Sequence, residues 1–207
     1  MIGKFVFNMF LNSLPENTKK LFIQLSKKDF LKDFYLSGGT ALSLQLNHRQ
    51  SEDFDFFSQQ KFNPQMLLNQ LEKIGKTKNV FIDKGTLNLY LNKTKLQFLY
   101  YPYKLLKPFL NYEKIKISSI LDIACTKLIT ISDRGSKKDF VDLYFLLQKF
   151  QLNEILENLN NKYQNINYNQ VHILKSLVYF TDANNQPMPI MIKKIDWDNT
   201  KITIKKK

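Results

Sequence analysis

Cysteine is nearly missing from this chain: one thiol, Cys125, stands among 207 residues. A single cysteine closes no intramolecular disulfide and builds no cysteine-rich zinc site, which fits a reducing cytoplasm. Long apolar runs are missing as well. No stretch reaches the roughly 18 consecutive apolar residues of a membrane span, so the chain reads as a soluble protein with no membrane partner. The N-terminus, MIGKFVFNMFLNSLPEN, has one lysine and a short apolar patch without a small-residue cleavage site. It reads as mature sequence and not as a signal peptide. Histidine occurs only as His48 and His172, whose spacing suits no shared metal. Arginine is the telling scarcity: of 31 basic residues only Arg49 and Arg134 are arginine, and both flank acidic clusters. Arginine offers a planar fork that grips phosphate or carboxylate with two bonds, so its retention in a lysine-using chain suggests a geometric need.

What the chain does have is apolar mass and positive charge. Hydrophobic residues make up 43%, with 17 Phe and 10 Tyr, enough for a packed core and against general disorder. The net charge of +13 favours a polyanionic partner, nucleic acid first among them. Lysines scattered over solvated faces would give the same total.

The periodicity predicts a mixed α/β core. Residues 15–32 read as an amphipathic helix with Pro15 at its start and Leu21, Phe22, Leu25 and Phe30 as apolar positions. FYLS is a short strand, TALSLQLN a short helix and DFDFF a second strand. Asn63-Pro64 opens a helix to about Ile74, stopped by Gly75. Residues 79–101 form the best hairpin candidate, with TLNLYL and TKLQFLYY alternating around an Asn-Lys turn. Beyond residue 103 the pattern turns helical. Ile120, Ile123, Ala124, Lys127, Leu128 and Ile131 share one helix face, SKKDFVDLYFLLQKF repeats the theme, and NQVHILKSLVYF forms one more helix. The tail from Thr181 reads as extended over the surface and frayed at its end. The expected division is therefore residues 1–103 as the core and 104–207 as a mainly helical portion that completes a cleft.

Two motifs break local rules. Asp53 and Asp55 are one residue apart in a strand, so both carboxylates project from the same face. Like charges that close repel, and a divalent cation with a taste for hard oxygens relieves the repulsion. A solvated edge strand is the alternative. Ser37-Gly38-Gly39-Thr40 joins a strand to a helix, where glycines let an anion approach backbone N–H groups at the positive end of the helix dipole. An ordinary glycine turn, with Thr40 as a helix cap, is the alternative there. Taken together, a phosphate cradle, a short helix and two acids on the next strand place Mg²⁺ beside a triphosphate.

The stretch GGTALSLQLNHRQSEDFDFF resembles the signature of nucleotidyltransferase toxins of the AbiEii/MenT type, within the DNA polymerase beta-like superfamily. LDIACTKLITISDRGSKKDFVDLYFLL is similar to the family's second block, and LKSLVYFTDANNQPMPIMIKKIDW to its C-terminal segment. The resemblance implies a nucleotidyltransferase-like mixed sheet flanked by helices, with a helical C-terminal portion. It implies that Ser37, Gly38, Gly39 and Thr40 hold an NTP, that Asp53 and Asp55 bind Mg²⁺ (or Mn²⁺), and that Lys127 contacts the phosphates. Asp142 and Asp139 would complete the site. Ser51 matches a serine that is modified in some relatives. The residues add readings of their own. Lys127 lies on an apolar stripe, where lysine sits when it is paired or snorkels. Asp139 suits position N3 of a capping box opened by Ser136, and Lys138 could pair with Asp142 across one turn. Arg134 would bind phosphate or neutralise Asp139 or Asp142, and Arg49 would orient the D-x-D strand or meet the acceptor.

One departure stands out. The superfamily usually carries a third carboxylate on a neighbouring strand as metal ligand or general base. Here that strand is KLQFLYY, and Gln97 occupies the position; Asp142 or Asp83 would have to take over the base role. The implied reaction is Mg²⁺-dependent transfer of a nucleoside monophosphate from an NTP to an RNA acceptor, the tRNA 3′ end, by the toxin of a toxin–antitoxin pair. Protein nucleotidylation, or a lapsed NTP- or RNA-binding protein, are the alternatives.

Overall fold

Alternation of apolar and polar residues in the strands decides which face of the sheet is buried. The computed structural model describes residues 9–164 and 166–207. The reading of the N-terminus as mature sequence rests on residues 1–17, of which 1–8 lie outside the described residues. The chain divides into two compact units. Of the described residues, unit 1 comprises those up to Leu46, Ser51–Pro102 and Phe109–Ser118, and unit 2 comprises Asn47–Gln50, Tyr103–Pro108 and Ser119–Lys207. This differs from a single cut near residue 103.

Unit 1 is built on a seven-stranded mixed sheet: β1 (Tyr35–Ser37), β2 (Phe54–Ser58), β3 (Thr77–Asp83), β4 (Thr86–Leu91), β5 (Thr94–Tyr100), β6 (Leu110–Tyr112) and β7 (Ile115–Ile117), in the order β3-β4-β5-β2-β1-β7-β6. β2 runs antiparallel to β1 and parallel to β5, while β1 runs parallel to β7. Leu87, Leu89 and Leu91 of β4 and Leu96 and Phe98 of β5 form one buried face. Helix α1 (Glu16–Leu25) covers that face through Leu21, Phe22 and Leu25, and the Phe22 ring lies 5.9 Å from Phe54 and 5.0 Å from Tyr112. Phe22 is fully buried, so truncating it to Ala costs about 3–5 kcal/mol. Helix α2 (Gly38–Leu46) is buried from Thr40 onward. Helix α3 (Pro64–Glu72) starts as expected, with the Asn63 side chain accepting from the Gln65 and Met66 N–H groups.

Three readings change here. The first helix ends at Leu25, because the Ser26 hydroxyl donates to the Ile23 carbonyl, and a 3₁₀ turn follows at Asp29–Leu31. β3 was not expected: it lies at the sheet edge with nearly all residues exposed, so it shows no alternation. β6 and β7 form a hairpin beyond residue 103, three residues each and too short for a periodic signal.

Unit 2 is helical. Helix α4 (Ile120–Arg134) is capped by Ser119, whose side chain accepts from the Asp122 N–H, and ends at Gly135 in the left-handed region with φ +48°. Helices α5 (Lys137–Leu146), α6 (Leu152–Lys162), α7 (Gln170–Ser176), α8 (Thr181–Asn184) and α9 (Trp197–Lys205) complete it. Phe140, Phe180 and Trp197 pack edge to face or tilted, with ring separations of 4.8–6.0 Å. The tail is therefore not extended throughout: α9 forms because the Asp196 side chain accepts from the Asn199 N–H at its start. The detached segment Asn47–Gln50 is held by a short ladder in which the Gln50 N–H donates to the Ile190 carbonyl (2.8 Å) and the Ile192 N–H to the His48 carbonyl (3.0 Å).

Candidate active site

β1 ends at Ser37 and the backbone turns through Gly38 at φ +67°, in the left-handed region that favours glycine. The closeness of Asp55 demands glycine more strongly still. A Cβ on Gly38 would lie 2.3 Å from Asp55 Oδ2 and 3.2 Å from its Cγ. The carboxylate thus sits against the bare backbone where helix α2 begins. The first N–H groups of a helix have no partner within it and point outward at its start. Helix start and carboxylate are brought together by the register Ser37↔Asp55 across β1 and β2.

That register extends across the sheet. Asp55 pairs with Gln97 of β5, and Gln97 with Asn88 of β4. Ser37, Asp55, Gln97 and Asn88 therefore form one polar row on the face opposite the Leu87–Leu96–Phe98 core. Gln97 stands directly beside Asp55, where the third acid was expected. Asn88 Oδ1 is buried without a hydrogen-bond partner. Asp83 belongs to a different row, since it pairs with Thr86, and Thr86 with Leu99. Three strand spacings put it about 14 Å from β2, which removes it as a neighbour of Asp55. Its carboxylate instead accepts from the Lys84 N–H at 2.7 Å.

The hydroxyls around the cradle serve the fold. Ser37 Oγ lies 2.8 Å from Ser118 Oγ and is 2% exposed. The Thr40 hydroxyl bonds both the Ser51 hydroxyl, at 2.8 Å, and the Asp53 backbone carbonyl. Ser51 is also fixed through its N–H, which donates to the Ser13 carbonyl at 3.0 Å. Thr40 and Ser51 thus tie α2 to the chain entering the D-x-D segment. Asp55 of β2 is half-buried between buried Phe54 and Phe56, whereas Asp53, also half-buried, follows the exposed Glu52 and lies one residue before the strand, which starts at Phe54 and not at Asp53. Among the described residues no group of three or more His, Cys, Asp or Glu side chains converges as a cage. The Asp55 carboxylate against a bare glycine backbone, with Asp53 two residues before it, suits a hard cation that completes its shell with water and phosphate oxygens.

The other predicted residues converge in unit 2. Asp142 of α5 is fully buried, and its carboxylate accepts from Arg49 Nε (2.6 Å) and the second guanidinium nitrogen (2.9 Å) and pairs with Lys127 Nζ (2.8 Å). Lys127 also donates to Asp139 Oδ1 at 2.9 Å, and Arg134 grips Asp139 with contacts of 3.0 and 3.2 Å. The chain's two arginines thus each present a fork to one of the two aspartates on α5. Asp139 also closes the helix start, accepting from the Ser136 N–H at 3.3 Å. Lys138 has no part in holding Asp142.

Burial alone would raise the Asp142 pKa, but Arg49 and Lys127 outweigh it and hold the carboxyl well below the usual range. The same contest, decided by Lys127 and Arg134, lowers Asp139. Burial would lower Lys127, yet Asp142 and Asp139 raise it, so it stays charged. A carboxylate bound by two cations is a weak proton acceptor, which argues against Asp142 as a general base.

His48, which the sequence marks only as unsuited to share a metal with His172, belongs to this cluster. Its Nε2 lies 2.8 Å from Asp142 Oδ1, and its Nδ1 is buried without a partner. Facing an ionised carboxylate, Nε2 must donate. Burial lowers the His48 pKa and keeps the ring neutral. A second buried pair was also missed: Lys162 meets Asp122 at 2.7 Å, and Asp122 accepts from the Leu106 and Lys107 N–H groups at 3.0 and 3.2 Å. It anchors Tyr103–Pro108 to α4. Neither partner carries a motif; only an aspartate on an apolar helix face hinted at it.

The family described as "Nucleotidyl transferase AbiEii toxin, Type IV TA system" matches residues 19–117 and 94–206. An uncharacterised protein of Aquifex aeolicus is 42% identical over 163 residues, 74% of this chain and 77% of that protein. Among solved structures, the fold is similar to MenT4, a nucleotidyltransferase toxin from Mycobacterium tuberculosis, with TM-score 0.58 at 11% identity over 92% of this chain and 82% of that one. It is also similar to JHP933 from Helicobacter pylori, with TM-score 0.53 at 19% identity over 92% and 90% of the two chains. With the family match spanning both units, the chain belongs to the AbiEii family of nucleotidyltransferase toxins.

Proposed function

We propose that this nucleotidyltransferase moves a nucleoside monophosphate from an NTP to the 3′ end of an RNA, tRNA by family resemblance, as the toxin of a toxin–antitoxin pair in the cytoplasm. The observation that carries the reading is the apposition of the Asp55 carboxylate with the Gly38 backbone at the start of α2. Asp53 and Asp55 would hold Mg²⁺, or Mn²⁺ in its place, which would neutralise charge on the phosphates and on the attacking and leaving oxygens. Gly38, Gly39 and the first turn of α2 offer N–H groups to the triphosphate. Thr40 and Ser51 position this frame through their mutual hydrogen bond and need not touch the nucleotide.

In the transfer, the acceptor hydroxyl oxygen forms a bond to the α-phosphorus. The bond from that phosphorus to the β-phosphate bridging oxygen breaks, and pyrophosphate leaves. The hydroxyl proton departs to water, because the register positions beside Asp55 hold Ser37 and Gln97, neither a carboxylate. Lys127, Arg49, Asp139 and Asp142 are assigned to the buried charged cluster of unit 2, and Arg134, with its side chain half exposed, clasps Asp139 from the rim of that cluster. Contact of Lys127 with a phosphate would require it to give up one of its two carboxylates. Modification of Ser51 by an anionic group would crowd the Thr40 hydroxyl that donates to its Oγ and place negative charge two residues from Asp53, which would lower activity without loss of a metal ligand.

Gln97 favours one second reading, a protein that binds NTP and RNA without turnover. Calorimetric titration of Mg²⁺·NTP tests the shared premise: micromolar binding that vanishes when Mg²⁺ is withheld and in Asp55→Ala supports the site. Binding that is indifferent to both removes it.

A further inference from the structure

Next to the Asp55 row, the same face of the unit 1 sheet carries a row of different character. Tyr90 of β4 pairs with Lys95 of β5 on one side and with Lys78 of β3 on the other. Phe54 pairs with Leu96, so Lys95 stands next in register to Asp53. All three side chains are exposed, Tyr90 by 39%. Two strand spacings, about 10 Å, separate the lysines.

The row runs into a cavity of about 790 Å³ lined by Lys76, Lys78, Lys93, Tyr90 and three asparagines, with no acidic side chain in its wall. Asn92 and Lys93 make the β4–β5 turn with positive φ, 49° and 73°, which turns the Lys93 side chain away from the ladder. No carboxylate pairs with Lys76, Lys78, Lys93 or Lys95 among the described residues. The positive charge on this margin is therefore uncompensated.

An aromatic ring set between unpaired cations, with amides close by, is the chemistry that holds a single nucleic acid strand. Lysines neutralise phosphates, the ring takes an unstacked base, and amides meet base edges. A duplex offers no free base face, and an acidic protein would use the lysines while leaving the ring without a role. We infer that the Lys95–Tyr90–Lys78 row and the basic cavity at its end bind the single-stranded 3′ segment of an RNA acceptor and lead it toward Asp53. The inference rests on the proposed transfer to RNA.

The test uses the full chain, a fluorescent 12-nucleotide single-stranded RNA, a blunt duplex of the same sequence, and Mg²⁺·NTP as a separate probe. Single-stranded RNA is expected to bind more tightly than duplex. Tyr90→Ala weakens it by about 5- to 100-fold, while Tyr90→Phe stays within about twofold. Lys78→Gln with Lys95→Gln lowers the slope of log affinity against log salt by about 1.4. Mg²⁺·NTP affinity stays unchanged in all three variants, which also reports an intact fold. RNA affinity indifferent to Tyr90→Ala and to the lysine pair, with NTP binding intact, overturns this inference alone. Loss of NTP binding by the unaltered protein overturns the reading beneath it. Photocrosslinking of thiouridine-bearing RNA to the unaltered protein needs no variant: crosslinks within residues 76–95 are expected, and crosslinks found only elsewhere refute the surface.

Discussion

Replacing Asp142 by Asn is the sharpest test of the charged core of unit 2. The substitution keeps the shape and one acceptor oxygen but removes the charge that faces Arg49 at 2.6 Å and Lys127 at 2.8 Å, where Asp142 is fully buried. Lys127 retains Asp139, while the Arg49 fork loses the carboxylate it grips with two bonds. Breaking a buried pair from one side costs about 3–5 kcal/mol, mostly because a charge is left without compensation. Urea denaturation followed by circular dichroism at pH 7 reads the difference directly. The pH dependence carries a sign. The folded carboxyl titrates well below its ordinary 3.8, so on acidification the unfolded chain takes up its proton first. The stabilisation is full above about pH 5 and is lost as pH falls through 4 toward the folded value. The gap between parent and variant should therefore shrink steadily between pH 5 and pH 3. A gap below about 1 kcal/mol at pH 7, or one that widens in acid, would refute the reasoning.

Gly38→Ala places a methyl group 2.3 Å from Asp55 Oδ2 at a backbone φ of +67°; transfer activity should fall at least a hundredfold while circular dichroism shows the sheet retained. Gln97→Glu restores a carboxylate beside Asp55 in register, and calorimetry should find tighter Mn²⁺ binding than in the parent, by about tenfold. The Cys125 thiol is fully buried and pushed up to about 12, chiefly by burial; it should resist a thiol-reactive disulfide reagent at pH 8 until denaturant is added.

How much of this was legible beforehand depends on whether the signal was local. The glycine turn, helix α2 and the D-x-D segment are contiguous, so their rule-breaking residues marked the candidate site. The alternation in TLNLYL and TKLQFLYY located β4 and β5, and with them Gln97 beside Asp55. Asn88 at the middle of TLNLYL was visible as a polar residue between leucines, yet its place in the same row needed the register. The scarcity of arginine marked Arg49 and Arg134 as geometric, and each does clasp an aspartate of α5. Which aspartate each would take depends on tertiary packing, as does the recruitment of His48, 94 residues from Asp142. Strand β3 escaped because an exposed edge shows no alternation, and the β6–β7 hairpin because three-residue strands carry no period. Helix α9 turned on one capping residue, Asp196, in a stretch whose prolines pointed to extended chain.

The most direct measurement of the central proposal incubates purified protein with Mg²⁺, total tRNA and each α-labelled NTP in turn, beside Asp53→Ala and Asp55→Ala. The account predicts label on RNA with a preferred NTP, release of pyrophosphate, and no label with either variant. Label on protein would instead mean nucleotidylation of a protein side chain, and RNA labelling that survives both substitutions would contradict the site itself.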